Sequence, residues 1–343
     1  MKAIGYLKSH PIDHPEALMD IEIERPVPTG QDLLVQVRAV SVNPVDTKMR
    51  VRAASDDGRH CILGWDAVGE VVSVGDQVSA YQVGDRVLYA GDITRPGSNA
   101  EYQLVDEHIV GRAPSTLGDA EAAALPLTSI TAWELLFDRL KLPRKGEADG
   151  DVARRLLIVG AAGGVGSILT QLASQLTDVT VIGTASRPES QEWVRNLGAD
   201  HVIDHRKPLP DELARIGIDQ VTQVISLNHT DDHFDALVEV LAPQGQLALI
   251  DDPETLLDLR KLKLKSLSLH WELMFTRSMF QTEDRVKQRE LLNEVAGRID
   301  TGELRTTHGA HYGTICADNL RRAHHDIEQG RTIGKIVLEG FGD

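Results

Sequence analysis

Apolar and polar positions follow two different rhythms along this chain. From the amino terminus to about residue 125 they form short β-branched runs, Leu33 to Val40, Ala67 to Val74 and Arg86 to Tyr89. Turn-forming pairs separate these runs, among them Gly75-Asp76, Gly84-Asp85 and Pro96-Gly97. Such punctuation predicts a β-rich region. Between 126 and about 270 the rhythm becomes alternating, with strands predicted near 156–159, 179–183, 201–204, 221–226, 246–250 and 266–270 and helical segments between most of them. Strand and helix in alternation predict a parallel, doubly wound α/β sheet. The tail predicts helices near 284–301 and 317–329, then a strand from Ile333 to Leu338. The polar stretch from Pro143 to Arg154 is expected to be a surface loop, and no internal repeat or low-complexity tract is visible.

One junction in the alternating part carries chemistry. Leu156, Leu157, Ile158 and Val159 run directly into Gly160-Ala161-Ala162-Gly163-Gly164-Val165-Gly166, and Ser167 to Ala173 continues as a helix. Strand, glycine turn and helix in this order make a phosphate-binding turn of the dinucleotide type. Gly160 lets the chain reverse, Gly163 lets the backbone approach a pyrophosphate, and Gly166 lets helix and strand pack closely. Amides at the start of the helix then face the anion. Enzymes that take NAD place a carboxylate on the ribose about 20 residues further on. Here the second strand ends in Ser186-Arg187-Pro188, without an acid. A guanidinium and a hydroxyl suit a 2′-phosphate, so the expected cofactor is NADPH. Pro188 fits the first turn of the next helix and makes Glu189 a first-turn acid. The competing reading leaves Arg187 as a solvated loop residue.

Composition narrows the class. The chain has 343 residues, enough for two domains with separate cores. Its 36 basic and 52 acidic residues give a net charge of −16, which argues against a nucleic-acid or anionic-membrane partner. The two cysteines, Cys61 and Cys316, are too few for a disulfide framework or a cysteine-built zinc site. The amino-terminal stretch has no apolar signal core, and Leu156 to Leu172 is broken by four glycines, so a cytoplasmic protein is expected.

Several motifs, taken together, resemble the medium-chain dehydrogenase/reductase superfamily over essentially the whole length. They are Ala39 to Arg50, Leu63 to Gly75, Val83 to Val87, Gly97 to Val105, Ala124 to Leu136, the glycine turn and the closing Gly334 to Leu338. The resemblance implies a GroES-like β-barrel catalytic domain from residues 1–125 and 305–343, with a Rossmann nucleotide-binding domain from 126–304 inserted between. It is strongest toward quinone oxidoreductases and zinc-type alcohol-dehydrogenase-like members. Zinc-dependent alcohol dehydrogenases hold their catalytic metal on cysteine, histidine and cysteine. This sequence has Asn43 at the first of those positions, Trp65 at the second and Leu127 near the third, and the four-cysteine structural lobe is absent around Gly91 to Gly97. No metal is expected. Without a Lewis acid, oxidation of a simple alcohol loses its activated alkoxide, whereas an already polarised quinone or α,β-unsaturated carbonyl remains reducible.

The resemblance and the residue types together give candidate roles. Asn43 is either the donor to a substrate carbonyl or a turn residue before Pro44. Asp46 is a proton-handling group, or a cap or a partner of Lys48 or Arg50. Trp65 walls the pocket or belongs to the core, and Asp66 satisfies backbone donors. Thr131 is placed at the nicotinamide end, with the glycine turn (Gly160, Gly163, Gly164, Val165, Gly166), Ser186 and Arg187 on the remainder of the cofactor. His205 is placed against the 2′-phosphate, most effectively when protonated, and Lys335 is placed near the cofactor from the closing segment. Leu127, Trp271, Met274 and Phe275 are candidates for an apolar substrate pocket, and the Trp271 segment competes as a homodimer edge. In His229-Thr230-Asp231-Asp232-His233, Thr230 reads as a helix N-cap, which removes the metal reading of the two histidines. His324 and His325 are adjacent and point about 100° apart on a helix, which is no ligand pair.

The leading expectation is therefore a zinc-independent NADPH-dependent reductase of quinones or enones. A NADPH-binding sensor with little turnover, and an alcohol dehydrogenase with an atypical metal site, stand as the alternatives.

Overall fold

The computed structural model describes residues 1–52, 54–55, 58–147 and 153–342. The expected surface loop over 143–154 therefore lies partly outside the described residues. The chain forms two compact units, one of Met1–Ile130 with Phe275–Asp343, the other of Thr131–Met274.

In the second unit the apolar runs become a six-stranded parallel sheet. Its order is His201–Ile203, Thr180–Thr184, Arg155–Val159, Val221–Ser226, Leu241–Leu249 and Ser268–Trp271. The central strands are apolar nearly throughout because helices cover both faces of such a sheet. Leu157, Val159, Ile182, Val224, Leu237 and Leu247 share one buried cluster. The helix Gly164–Leu176 is buried on every side from Gly166 to Ala173, as expected of a helix packed deep against the sheet. The edge strand begins at Ser268, two residues later than the pattern suggests, because a 3₁₀ helix, Leu259–Lys265, precedes it.

One cap differs from the sequence reading. The helix Thr230–Val240 starts at Thr230 itself, with His229 in the cap position at φ 51°. Asp251, just past the strand Leu241–Leu249, performs the capping role. Its carboxylate accepts from Thr230 N at 2.9 Å and from Thr230 Oγ1 at 2.5 Å. A carboxylate brought in by the sheet outcompetes a local hydroxyl at a helix N-terminus.

The first unit is built on a seven-stranded sheet around the long strand Asp32–Val42. That strand pairs with Ala67–Val74, Tyr102–Asp106 and the closing strand Lys335–Glu339. The register sets Ile336 opposite Val42, which brings Lys335 beside Asn43. The helix Pro44–Arg52 follows the long strand directly. A second sheet of three strands joins Met19–Glu22, Lys2–Tyr6 and Cys61–Ile62.

Residues 275–304, placed in the nucleotide domain by the sequence reading, pack with the first unit. The helix Val286–Asp300 lies so close to the strand Val110–Arg112 that a Cβ on Gly111 would stand 2.5 Å from Leu292. Asn293 accepts from Arg112 N at 2.8 Å, and Asp300 accepts from the amides and hydroxyls of Ser115 and Thr116. These side-chain contacts join segments nearly two hundred positions apart, and no local pattern announces them.

Candidate active site and cofactor turn

In the first unit, strand pairing closes four polar side chains on one another. Asp66 is fully buried and is their hub. Its Oδ1 accepts from Leu127 N at 2.7 Å, while Oδ2 accepts from Ser41 Oγ at 2.9 Å, Asn43 Nδ2 at 2.8 Å and Lys335 Nζ at 3.0 Å. Lys335 also donates to Asn43 Oδ1 and to Val42 O. An ammonium on one end of the Asn43 amide and a carboxylate on the other fix which way that amide points. Lys335, expected near the cofactor, thus has its three N–H bonds committed inside the protein. A buried pair of this kind holds because both charges are hydrogen-bonded, and removing either partner would strand the other.

Asp46 sits in the first turn of the helix Pro44–Arg52, where its Oδ2 accepts from Asn43 N at 2.7 Å. This is half of a capping box, with the third helical residue reaching back to the cap amide. The capping reading therefore describes its geometry better than a pairing with Lys48 or Arg50. Its other oxygen, Oδ1, is buried without a hydrogen-bond partner. Burial pushes the Asp46 carboxyl up to about 7, against the opposing pull of the Asn43 amide and of Lys335. Trp65 is buried, donates to Asp92 O at 3.4 Å and meets Phe275 edge-on at 6.2 Å. Leu127 is buried and contributes its amide to Asp66.

These residues do not fit a catalytic zinc. The side chains of Trp65 and Leu127 offer no metal-binding lone pair. The Asn43 carbonyl oxygen is occupied by an ammonium, and that positive charge opposes a second cation.

In the second unit the glycine turn has the geometry its sequence implies. Gly160 has φ +83°, and a Cβ there would stand 2.7 Å from Asn228 Oδ1. A Cβ on Gly166 would stand 2.5 Å from Gly160 O, so no larger residue fits under the turn. Gly163 caps the helix and is open, its nearest neighbour to a Cβ lying 3.6 Å away. Gly164, Val165 and Gly166 supply the first helical amides, which have no partner within the helix and can face an anion. The turn thus fits a dinucleotide pyrophosphate. Thr184 Oγ1 accepts from Gly160 N at 3.0 Å and lies 3.1 Å from His205 Nδ1, tying the turn to the ends of the second and third strands.

At those strand ends Arg187 caps the helix Pro188–Asn196 and lies 3.6 Å from Glu189. His205 is present, but burial and the neighbouring His233 hold its pKa below the ordinary histidine value. Both effects favour the neutral ring, which can meet a 2′-phosphate only through a ring N–H. The cation sequence reasoning missed is Arg206. It donates to Ser186 O at 2.6 Å and is clamped by Asp204 at 2.9 Å, with most of its side chain exposed. Its only signal in the sequence is its position one residue beyond His205.

Thr131 is buried at the start of the second unit, and Met274, at its end, is buried too. Phe275 is buried in the first unit. Trp271, a candidate for the substrate pocket, lies at the end of the edge strand Ser268–Trp271. It is 52% exposed on the edge strand, and Leu273 is 51% exposed. A further cluster went unread. In the π-helical turn Glu134–Arg139, Arg139 Nε donates to Glu272 Oε2 at 2.6 Å and its Nη2 lies 3.6 Å from Glu134 Oε2. Both carboxylates are buried, and burial followed by repulsion from Glu134 pushes Glu272 well above the ordinary carboxylate range.

Comparison with known proteins assigns the family. An alcohol dehydrogenase GroES-like domain model matches residues 29–115, and a zinc-binding dehydrogenase model matches residues 197–338. A zinc-type alcohol dehydrogenase-like protein from Staphylococcus epidermidis is 38% identical over 98% of this chain and 99% of its own length. The chain belongs to the medium-chain dehydrogenase/reductase superfamily. A crystal structure of a Rhizobium etli protein assigned as a zinc-dependent alcohol dehydrogenase superposes with a TM-score of 0.96 at 53% identity, covering 100% of this chain and 99% of that one. A mycobacterial protein complexed with NADPH superposes with a TM-score of 0.81 at 27% identity, over 99% of each chain. A quinone-oxidoreductase homologue from Spinacia oleracea is 33% identical over 56% of this chain and 58% of its own length. The protein is thus an oxidoreductase of this superfamily, with a GroES-like domain and a Rossmann-type parallel sheet. Among the described residues, no helix is long and apolar enough to cross a membrane.

Proposed function

We propose that this superfamily member reduces a quinone or an α,β-unsaturated carbonyl with NADPH and without a catalytic zinc. The observation that carries the reading is the closed Asn43–Asp66–Lys335 cluster, in which polar groups satisfy one another where a metal site would keep ligands open. Bound NADPH would supply the hydride. On this reading the glycine turn holds the pyrophosphate, Arg187, Arg206 and Ser186 hold the 2′-phosphate, and Thr131 lies toward the nicotinamide. The NADPH complex of the mycobacterial relative and the quinone-oxidoreductase homologue support the cofactor and the acceptor class.

Hydride added to the electrophilic carbon of an enone leaves its electron pair on oxygen as an enolate, which takes a proton from solvent. The chain's part is to orient the acceptor and donate a hydrogen bond to that oxygen. Asn43 suits this role, since its amide nitrogen carries two N–H groups and one of them is spent on Asp66. Asp46 lies close behind it, with a pKa of about 7 that would let it share in proton handling. The domain roles follow the two units, with catalytic groups in the first and the nucleotide in the second. We further propose a soluble, cytoplasmic homodimer formed through the edge strand Ser268–Trp271, whose unpaired backbone and half-exposed Trp271 offer a second copy a surface.

The test follows NADPH absorbance in chelator-treated protein, with a small quinone or enone as acceptor and NADH as control. Turnover with NADPH, little with NADH and no gain on adding zinc is the expected result. Activity that appears only with zinc would overturn it. Tight NADPH binding without turnover over a broad acceptor panel would point to the sensor reading, which the full commitment of Lys335 favours.

A further inference from the structure

The amino-terminal segment His10-Pro11-Ile12-Asp13-His14-Pro15-Glu16 places a proline after each histidine. A residue before proline is driven to extended backbone, and His14 has φ −74° and ψ 135°. His14 N donates to Pro11 O and Ala17 N donates to His14 O, both at 3.0 Å, closing two successive turns. The turns stack the two imidazoles with centroids 4.0 Å apart and planes 9° apart. Buried Arg50 donates to His10 O, and Arg321 donates to Pro15 O and Leu18 O, so the backbone of the loop is anchored at both ends.

One ligand atom from each of His10, His14 and Glu16 falls within 4.8 Å of the others, and no further group of this kind occurs among the described residues. His10 Nε2 is buried without a hydrogen-bond partner, and Glu16 Oε2 lies 3.8 Å from it. We propose that His10, His14 and Glu16 bind a divalent transition metal of the zinc class, at a site apart from the hydride-transfer residues. Two imidazoles and a carboxylate are a zinc donor set, with water completing the tetrahedron. Bonds of about 2.0–2.2 Å put tetrahedral ligand atoms roughly 3.3–3.6 Å apart, so the three must close by up to about 1.5 Å and the rings must splay.

Binding has a definite local cost. His14 Nδ1 accepts from Glu16 N at 3.1 Å. If Nδ1 takes the metal, its lone pair is no longer free for that amide. If Nε2 takes it, the neutral ring carries its proton on Nδ1. Either way this hydrogen bond is exchanged for the metal. Zinc carried here would say nothing about the hydride-transfer chemistry, and the inference stands independently of the proposed reaction.

The test titrates chelator-treated full-length protein with zinc chloride by calorimetry, and with cobalt(II) by visible absorption. One equivalent should bind, with a tetrahedral cobalt spectrum and a zinc-dependent rise in thermal midpoint. His10→Gln and Glu16→Gln should lose the bound equivalent. His14→Asn should lose it too, while keeping a side-chain acceptor for Glu16 N and hence the turn. Thermal unfolding without metal reports whether each variant is folded. The absence of saturable binding in the parent, or binding undiminished in folded His10→Gln or His14→Asn, would overturn the site.

Discussion

On the proposed reading, cofactor choice rests on single side chains. Arg187 follows Ser186 directly in the chain, and Arg206 reaches Ser186 O from the end of the third strand, where Asp204 holds it. A guanidinium bound to a phosphate contributes about 1.5–3 kcal/mol, or roughly ten- to hundredfold in affinity. Arg187→Ala and Arg206→Ala should each raise the dissociation constant of NADPH by about that factor and leave NADH nearly unchanged. Fluorescence titration with both cofactors checks this, and equal losses for both would remove the 2′-phosphate role. The role proposed for Arg187 could be argued from the sequence because no acid stands where the second strand ends. That of Arg206 could not, since nothing in a run of three basic or titratable residues says which of them folds back to Ser186. Lys335 shows the same limit more strongly. Its closing-segment motif was visible, yet its partners lie 269 and 292 positions away, and a pairing across that distance leaves no local trace.

Elements were readable where one period governed a whole segment. The glycine turn combined an apolar strand, spaced glycines and a following helix, so three signals agreed. The π-helical turn Glu134–Arg139 gave none, because one extra residue per turn does not disturb a short apolar pattern. That turn makes a titration prediction. Folding buries Glu272 beside Glu134 and raises its pKa from an ordinary 4.5, so the folded chain holds a proton that the unfolded chain releases. Folding then takes up a proton, and stability falls as pH rises above the unfolded value until the folded carboxyl itself ionises. Glutamine copies the protonated form in shape and charge. Relative to the parent, Glu272→Gln should gain thermal stability between about pH 5 and about pH 9, on the order of 1 kcal/mol per pH unit at most. Calorimetry at the two pH values reads it directly. A difference between variant and parent that does not change with pH would mean that Glu272 is ionised throughout.

At the scale of the whole molecule, association sets an apolar edge against a large common charge. The strand Ser268–Trp271 ends the six-stranded sheet, and Trp271 and Leu273 are each about half exposed beside its unpaired backbone. Such an edge favours pairing with a second copy. Each copy also carries a net charge of −16, so two copies repel at a distance. Salt screens that repulsion over a Debye length of roughly 10 Å at about 0.1 M and leaves the short-range apolar contact intact. The proposed dimer should therefore tighten as salt rises from about 0.01 M to about 0.15 M, the reverse of a complex held by opposite charges. Trp271→Glu adds a charge at the edge and removes its largest apolar side chain, and it should give a monomer at concentrations where the parent is dimeric. Light scattering across a salt series decides the point. A dimer that weakens with salt, or one that survives Trp271→Glu unchanged, would place the interface away from this edge.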